Sequence, residues 1–193
     1  MSFDDFLQEA SFTNLNWNGS SGKLRVRAGG EQNELKLPQT FVVDPKTSQY
    51  GWRAWVPQPE GNKKPFDQRV AFTEKMPAKS ADSTVAALEA KTFFFQCYQD
   101  EWDDLASGVI EWAADQKTVF KQLIPLGREL QKIPEAERSK KAVEVTITGS
   151  EKVGANKNPA PAFTMKVVKR PAAFDEDPVS WTTTSPSDDG DFG

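Results

Sequence analysis

Residues 140–154, KKAVEVTITGSEKVG, decide how the rest of the chain is read. Val143, Val145 and Ile147 alternate with Glu144, Thr146 and Thr148, the period of two that gives a strand one apolar and one polar face. Residues 162–172, AFTMKVVKRPA, repeat the pattern, with Phe163, Met165 and Val167 against Thr164, Lys166 and Val168. Between them lies a small-residue, basic stretch, GSEKVGANKNPAP (149–161). The two runs predict a β-hairpin with a long tip.

Toward the N-terminus the same alternation recurs. In YGWRAWVP (50–57), Trp52, Ala54 and Val56 share one face, and Arg53 and Trp55 the other. In LNWNGSSGKLRVR (15–27), the turn signal Asn18-Gly19 separates two short strands. The second strand carries Leu24 and Val26 on one face and Lys23, Arg25 and Arg27 on the other. ELKLPQTFVVD (34–44) reads as a strand with Leu35 and Leu37 on one face and Pro38 at an edge or bulge. KTFFFQCYQ (91–99) reads as a buried strand, and VAFTEKM (70–76) as a short one. PQPEGNKKPFDQR (57–69), rich in proline and lysine, reads as a loop. SADSTVAALEA (80–90) carries a helix start at Asp82 or Ser83. Trp102, Leu105 and Val109 recur at helical spacing, so DEWDDLASGVIEW (100–112) through TVFKQLIPLGREL (118–130) reads as mostly helical, interrupted at Gly108, Pro125 and Gly127.

Strands, a helical middle and a closing hairpin predict a mainly β or α+β chain. Short strands with basic loops suit an OB-like small β-barrel with an inserted helical segment and a disordered acidic C-terminal tail. A mixed sheet with the helices on one face is the alternative. The expected organisation is an acidic N-terminal segment (1–19), a body (20–173) and the tail (174–193).

Composition narrows the chemistry. The 193 residues include no histidine, which removes Ser-His-Asp and Cys-His catalysis and ordinary zinc sites. Cys97 is the only cysteine; no intramolecular disulfide forms, and a reducing, cytoplasmic setting is expected. There is no apolar run of transmembrane length, and MSFDDFLQEA (1–10) lacks the apolar core of a secretory signal. No membrane partner and no cofactor are expected. All 24 Lys and Arg lie between acidic ends, so residues 20–173 are net positive although the whole chain is at −4. A basic body points to a polyanionic partner.

Three sets of residues could carry function. Aromatics interleaved with bases (Tyr50, Arg53, Trp55, Lys63, Lys64, Phe66 and Arg69) suit single-stranded nucleic acid, where cations track phosphates and flat rings stack on bases. Lys23, Arg25, Arg27, Lys152, Lys157, Lys166, Lys169 and Arg170 would line a groove if the strands close into a barrel. In the cluster Glu101, Asp103, Asp104, Glu111 and Asp115, Glu111 and Asp115 would share a helix face and could hold Mg²⁺ for phosphodiester cleavage, though an acidic solvent-facing helix surface explains the cluster better. Cys97, with no histidine to activate it, reads as a buried structural thiol.

The last twenty residues are acidic and rich in Ser, Thr, Pro and Gly, and end in TSPSDDGDFG (184–193). This resembles single-stranded DNA-binding proteins of bacteria and their phages, in which an OB-fold body precedes a flexible acidic tail with a near-terminal Phe. The resemblance implies sequence-independent, non-catalytic binding of single-stranded DNA. It further implies a tail tip of Asp188, Asp189, Asp191 and Phe192 that recruits replication or recombination proteins and modulates binding. The usual bacterial tip ends in Pro-Phe, whereas here Gly193 follows Phe192. A homodimer is compatible with the apolar helical middle. A phage structural, adaptor or host-inhibitor protein that binds protein, and a carboxylate-metal nuclease, are the alternatives.

Overall fold

The computed structural model describes residues 13–155 and 157–176. The chain is mainly β. Among the described residues ten strands run β1 (Asn14–Asn18), β2 (Lys23–Ala28), β3 (Glu31–Glu34), β4 (Gln39–Val43), β5 (Gln49–Pro57), β6 (Lys63–Ala71), β7 (Ala90–Gln99), β8 (Gly108–Ala114), β9 (Lys141–Val153) and β10 (Asn158–Lys169). The described helices are short: α1 (Ser83–Leu88), α2 (Lys117–Gln122), α3 (Ile124–Lys132) and α4 (Ala173–Glu176).

One mixed sheet holds the strands in the order β10-β9-β4-β7-β8-β1-β2-β3. Among the described residues only the β1–β8 pair is parallel. The sheet forks at β7. Along the edge opposite β8, the N-terminal half of β7 pairs with β5 (Ala90↔Arg53 to Phe94↔Gln49), and its C-terminal half pairs with β4 (Cys97↔Val43, Tyr98↔Val42). The break between β4 and β5 is stitched at Gln96, whose N–H donates to Ser48 Oγ and whose carbonyl accepts from Asp44 N. β6 then hangs from β5 alone.

The inner face of this curled sheet builds the core. Leu15, Trp17, Leu24, Val26, Phe41, Val43, Phe93, Phe95, Cys97, Ile110, Trp112, Val143, Val145 and Ile147 meet Val119, Leu123, Leu126, Leu130 and Ile133 of the helical segment. α3 comes so close that a Cβ on Gly127 would sit 2.8 Å from the Phe93 ring. The closing hairpin forms as the alternation predicts, but its tip is short: the β9–β10 ladder continues to Val153↔Asn158 across a bulge at Ala162/Phe163.

Several expectations change. The sheet does not close into a barrel. It curls until Trp17 Nε1 donates to the Pro159 carbonyl at 3.0 Å, joining β1 to β10 through a side chain. The strands that end the order, β10 and β3, form no ladder with each other. The stretch 100–112 is not helical. Asp103, Asp104 and Gly108 take positive φ (49°, 61° and 78°), which ends any helix there, and Gly108–Ala114 then alternates as strand β8. The stretch 57–69 is largely strand: β6 begins at Lys63 after a tight turn. α1 begins at Ser83 with Asp82 as its cap, as expected. Asn14–Asn18 belong to the sheet, and Phe174, Asp175 and Glu176, at the head of the stretch read as tail, form α4 on the body. Residues 177–193, with Asp188, Asp189, Asp191 and Phe192, lie outside the described residues.

Candidate nucleic-acid interface

The strand register places polar residues from every part of the sheet on its outer face. β5 and β6 contribute the pairs Arg53↔Asp67 and Trp55↔Pro65, then Pro57↔Lys63. β7 and β8 contribute Phe94 and the pair Gln96↔Glu111. Glu111 pairs with Asn14 of β1, and β1 in turn carries β2, whose Lys23, Arg25 and Arg27 face outward.

At the fork, two arginines and two carboxylates interlock. Arg53 grips Asp67 with two hydrogen bonds, Nε to Oδ1 at 2.7 Å and a terminal nitrogen to Oδ2 at 2.8 Å. Arg69 bonds Asp67 from the neighbouring position and reaches across β5 and β7 to Glu111 at 2.7 Å. Gln96 Nε2 also donates to Glu111, at 3.1 Å. Burial raises the pKa of Arg53's partner Asp67, but the hydrogen bonds and charges of Arg53 and Arg69 outweigh it and hold that carboxyl below its usual value. At Glu111 burial wins over Arg69, and the carboxyl is pushed up. The four charges cancel, so the cluster is a neutral, rigid plate and not a cationic patch.

The plate is also a column of flat groups. The Arg69 guanidinium lies 3.7 Å over the Phe94 ring, and Arg53 lies 5.1 Å from the same ring. Arg53 is in turn 5.5 Å from the centre of the Trp55 indole. Phe94 is fully buried beneath the guanidinium groups although it points away from the core. Trp55 at the open end is 45% exposed, and its indole N–H donates to Asp115 Oδ2 at 2.7 Å. Beyond Trp55, β5 runs past the first residue of β7, and the β5–β6 tip carries exposed Lys63 and Lys64. Lys63 is on the outer face with Trp55; Lys64 is on the other.

Other residues expected at the interface are placed differently. Tyr50 is on the inner face: its ring is 5.4 Å from Phe72 and its hydroxyl donates to the Glu74 carbonyl, so it anchors a loop. Phe66, half-buried and next to Trp55 in the ladder by one residue, also faces inward. Lys23 and Arg25 are both paired with Glu34, and Lys166 with Glu144. Arg170 is buried, 1% exposed, and bonds Asp44 at 2.7 and 2.9 Å and Asp175 at 2.7 Å. It is a structural clasp, not a groove cation. Arg27, Lys63, Lys64, Lys152 and Lys157 are exposed and form no ion pair among the described residues. Lys152 and Lys157 belong to the β9–β10 tip. That hairpin joins β7 through β4 at the C-terminal end of β7, while the β5–β6 tip lies beyond its N-terminal end.

The carboxylates read as a metal candidate are dispersed. Asp103 accepts from Lys36 N and Gln39 Nε2, Glu111 is engaged by Arg69, and Asp115 by Trp55. Among the described residues no three His, Cys, Asp or Glu side chains converge as metal ligands. Cys97 is buried, and burial followed by the nearby Glu111 charge pushes its thiol pKa well up. Sequence reasoning missed Asp67, Phe94 and Asp115 as parts of this surface. The signal for Asp67 was its alternation with Arg69 and Pro65, hidden by reading 57–69 as a loop.

No described helix is long and apolar enough to cross a membrane. No family model matches the chain, and no curated protein or solved structure matches it.

Proposed function

We propose that this chain binds single-stranded DNA without cutting it, largely independently of sequence, as a phage-type replication or recombination protein working in the cytoplasm of a bacterial host. The observation that carries the reading is Trp55. A tryptophan half-exposed on a sheet face, fixed at its edge by a hydrogen bond and backed on one side by a guanidinium, offers its remaining surface to another flat group. Unpaired bases are such groups, and aromatic stacking on them contributes ~1–3 kcal/mol per base. Lys63 stands on the same face and Lys64 beside it, where a phosphate backbone would pass. The β5–β6 arm takes the place of the groove of an OB-like barrel, and the acidic C-terminal segment, with Asp188, Asp189, Asp191 and Phe192, modulates binding and recruits protein partners.

A gel-shift assay with labelled oligothymidine and a matched duplex, each with and without Mg²⁺, tests this reading. The expected outcome is a shifted single strand, a weaker shift of the duplex and no shortened product. Absence of any shift at low salt, or cleavage dependent on Mg²⁺, would contradict it.

One observation favours a second reading. The cations Lys23, Arg25, Arg53, Arg69 and Lys166 are all matched by carboxylates, which leaves no continuous basic track among the described residues. An adaptor that binds protein needs no such track. It would leave oligothymidine unshifted at every salt concentration.

A further inference from the structure

We infer that Asp115 is a positioning residue for Trp55, and that together with the Arg53–Asp67 pair it builds a preformed seat for one unpaired base. This deepens the reading of the chain as a single-stranded DNA-binding protein and rests on it.

An indole on an exposed strand ordinarily samples several rotamers, and a stacking partner must fix it at an entropic cost. Here that freedom is already reduced from two directions. The edge is held by Asp115, which lies just beyond β8 and is sixty residues away in sequence. One side is backed by the Arg53 guanidinium. That guanidinium is held in place, because both donors of the edge it turns toward β6, Nε and a terminal nitrogen, are bonded to Asp67. The repeating order of flat groups, Arg69, Phe94, Arg53 and Trp55, stops at Trp55, which is the exposed member. The natural next layer is another planar π surface.

The choice of a carboxylate at 115 has a second consequence. A negative charge beside the indole edge disfavours phosphate at that spot, so the backbone of a bound strand is directed toward Lys63, two ladder pairs further out on the same face. Base toward Trp55 and phosphate toward Lys63 is thus the orientation the charges select. An Asn at 115 would keep the acceptor for the indole N–H and lose only this charge.

The test uses the full chain and oligothymidines that are either intact or abasic at one central position. Trp55→Ala is expected to weaken binding to the intact strand about tenfold and to abolish the preference for intact over abasic DNA. Asp115→Ala is expected to weaken binding about threefold to tenfold, to reduce the same preference, and to add nothing when Trp55 is already Ala. Asp115→Asn is expected to restore most of the loss. Binding that depends on Trp55 but is unchanged by Asp115→Ala, or an Asp115→Ala effect that persists in full without Trp55, would overturn this inference alone. Failure of the unaltered chain to bind would overturn the functional reading and this inference together. Thermal melting of each variant separates loss of fold from loss of seat: a variant that melts within a few degrees of the parent and binds weakly has lost the seat.

Discussion

Two arginines show how differently the same residue type is used. Arg170, which reads from the sequence as a groove cation, is the most enclosed cation among those described: its side chain is 1% exposed and its carboxylate partner Asp44 is fully buried. Asp44 also caps its own turn by accepting from Lys46 N and Thr47 Oγ1, so the clasp ties the β4–β5 turn to the end of β10 and, through Asp175, to α4. Removing one member of a buried pair leaves the other charge uncompensated, and Arg170→Ala is expected to lower stability by about 3–5 kcal/mol in urea unfolding. Arg53 is fixed by Asp67 but lies on the outer face, where the pair tunes a surface. Asp67 has a folded pKa below its unfolded one, so its contribution is complete above the unfolded value and is lost as pH falls through the folded value. The stability difference between the parent and Asp67→Asn is therefore expected to be constant above about pH 5 and to shrink below about pH 4. Glu111, with its raised pKa, works in the opposite sense and softens the acid loss. A thermal melting series from neutral to acid pH on both proteins checks the sign.

At the scale of elements, the β5–β6 arm is the feature on which the proposed function rests. Its close pairing depends on Gly51, where a Cβ would fall 1.8 Å from the Gln68 carbonyl oxygen. Gly51→Ala is expected to destabilise the fold by roughly 1–3 kcal/mol and to weaken DNA binding by disturbing the Arg53–Trp55 face; urea unfolding and the gel shift measure the two effects. The face assignment on β5 was legible in the sequence, because alternation puts Arg53 and Trp55 opposite Trp52 and Ala54 whatever the neighbours. β6 was not. Its proline and paired lysines carry loop chemistry, and an edge strand that pairs on one side needs little apolar residue to hold it. The helical reading of 100–112 failed for a related reason. Trp102, Leu105 and Val109 match helical spacing, but residues 103, 104 and 108 take left-handed backbone, and strand β8 starts inside the same window. Tyr50 misled because a ring near a basic loop in sequence can still point into the core.

For the whole molecule, the charge excess of residues 20–173 is distributed and mostly cancelled locally, which long-range pairing determines and composition cannot reveal. Glu34 reaches Arg25 across a hairpin, but Glu111 reaches Arg69 only because β5 and β7 intervene in one sheet. The mainly β character was within reach of the alternation; the openness of the sheet was not, since it depends on which strands end the order, and β10 and β3 do not pair with each other. This distribution has a quantitative consequence. If Lys63 and Lys64 are the main phosphate contacts, the slope of log affinity against log salt is expected to be about −1.4, far shallower than a cationic groove would give. The most direct test of the whole account is an intrinsic fluorescence titration with oligothymidine at low and moderate salt, run on the full chain and on Trp55→Phe. Trp17, Trp102 and Trp112 are buried, Trp52 is half-buried and Trp181 lies outside the described residues, so the variant is what isolates the signal of Trp55: saturable quenching that is largely absent from the variant and modestly weakened by salt is the expected result. Quenching that is the same in both proteins, or none at low salt, would contradict the claim that Trp55 receives a base.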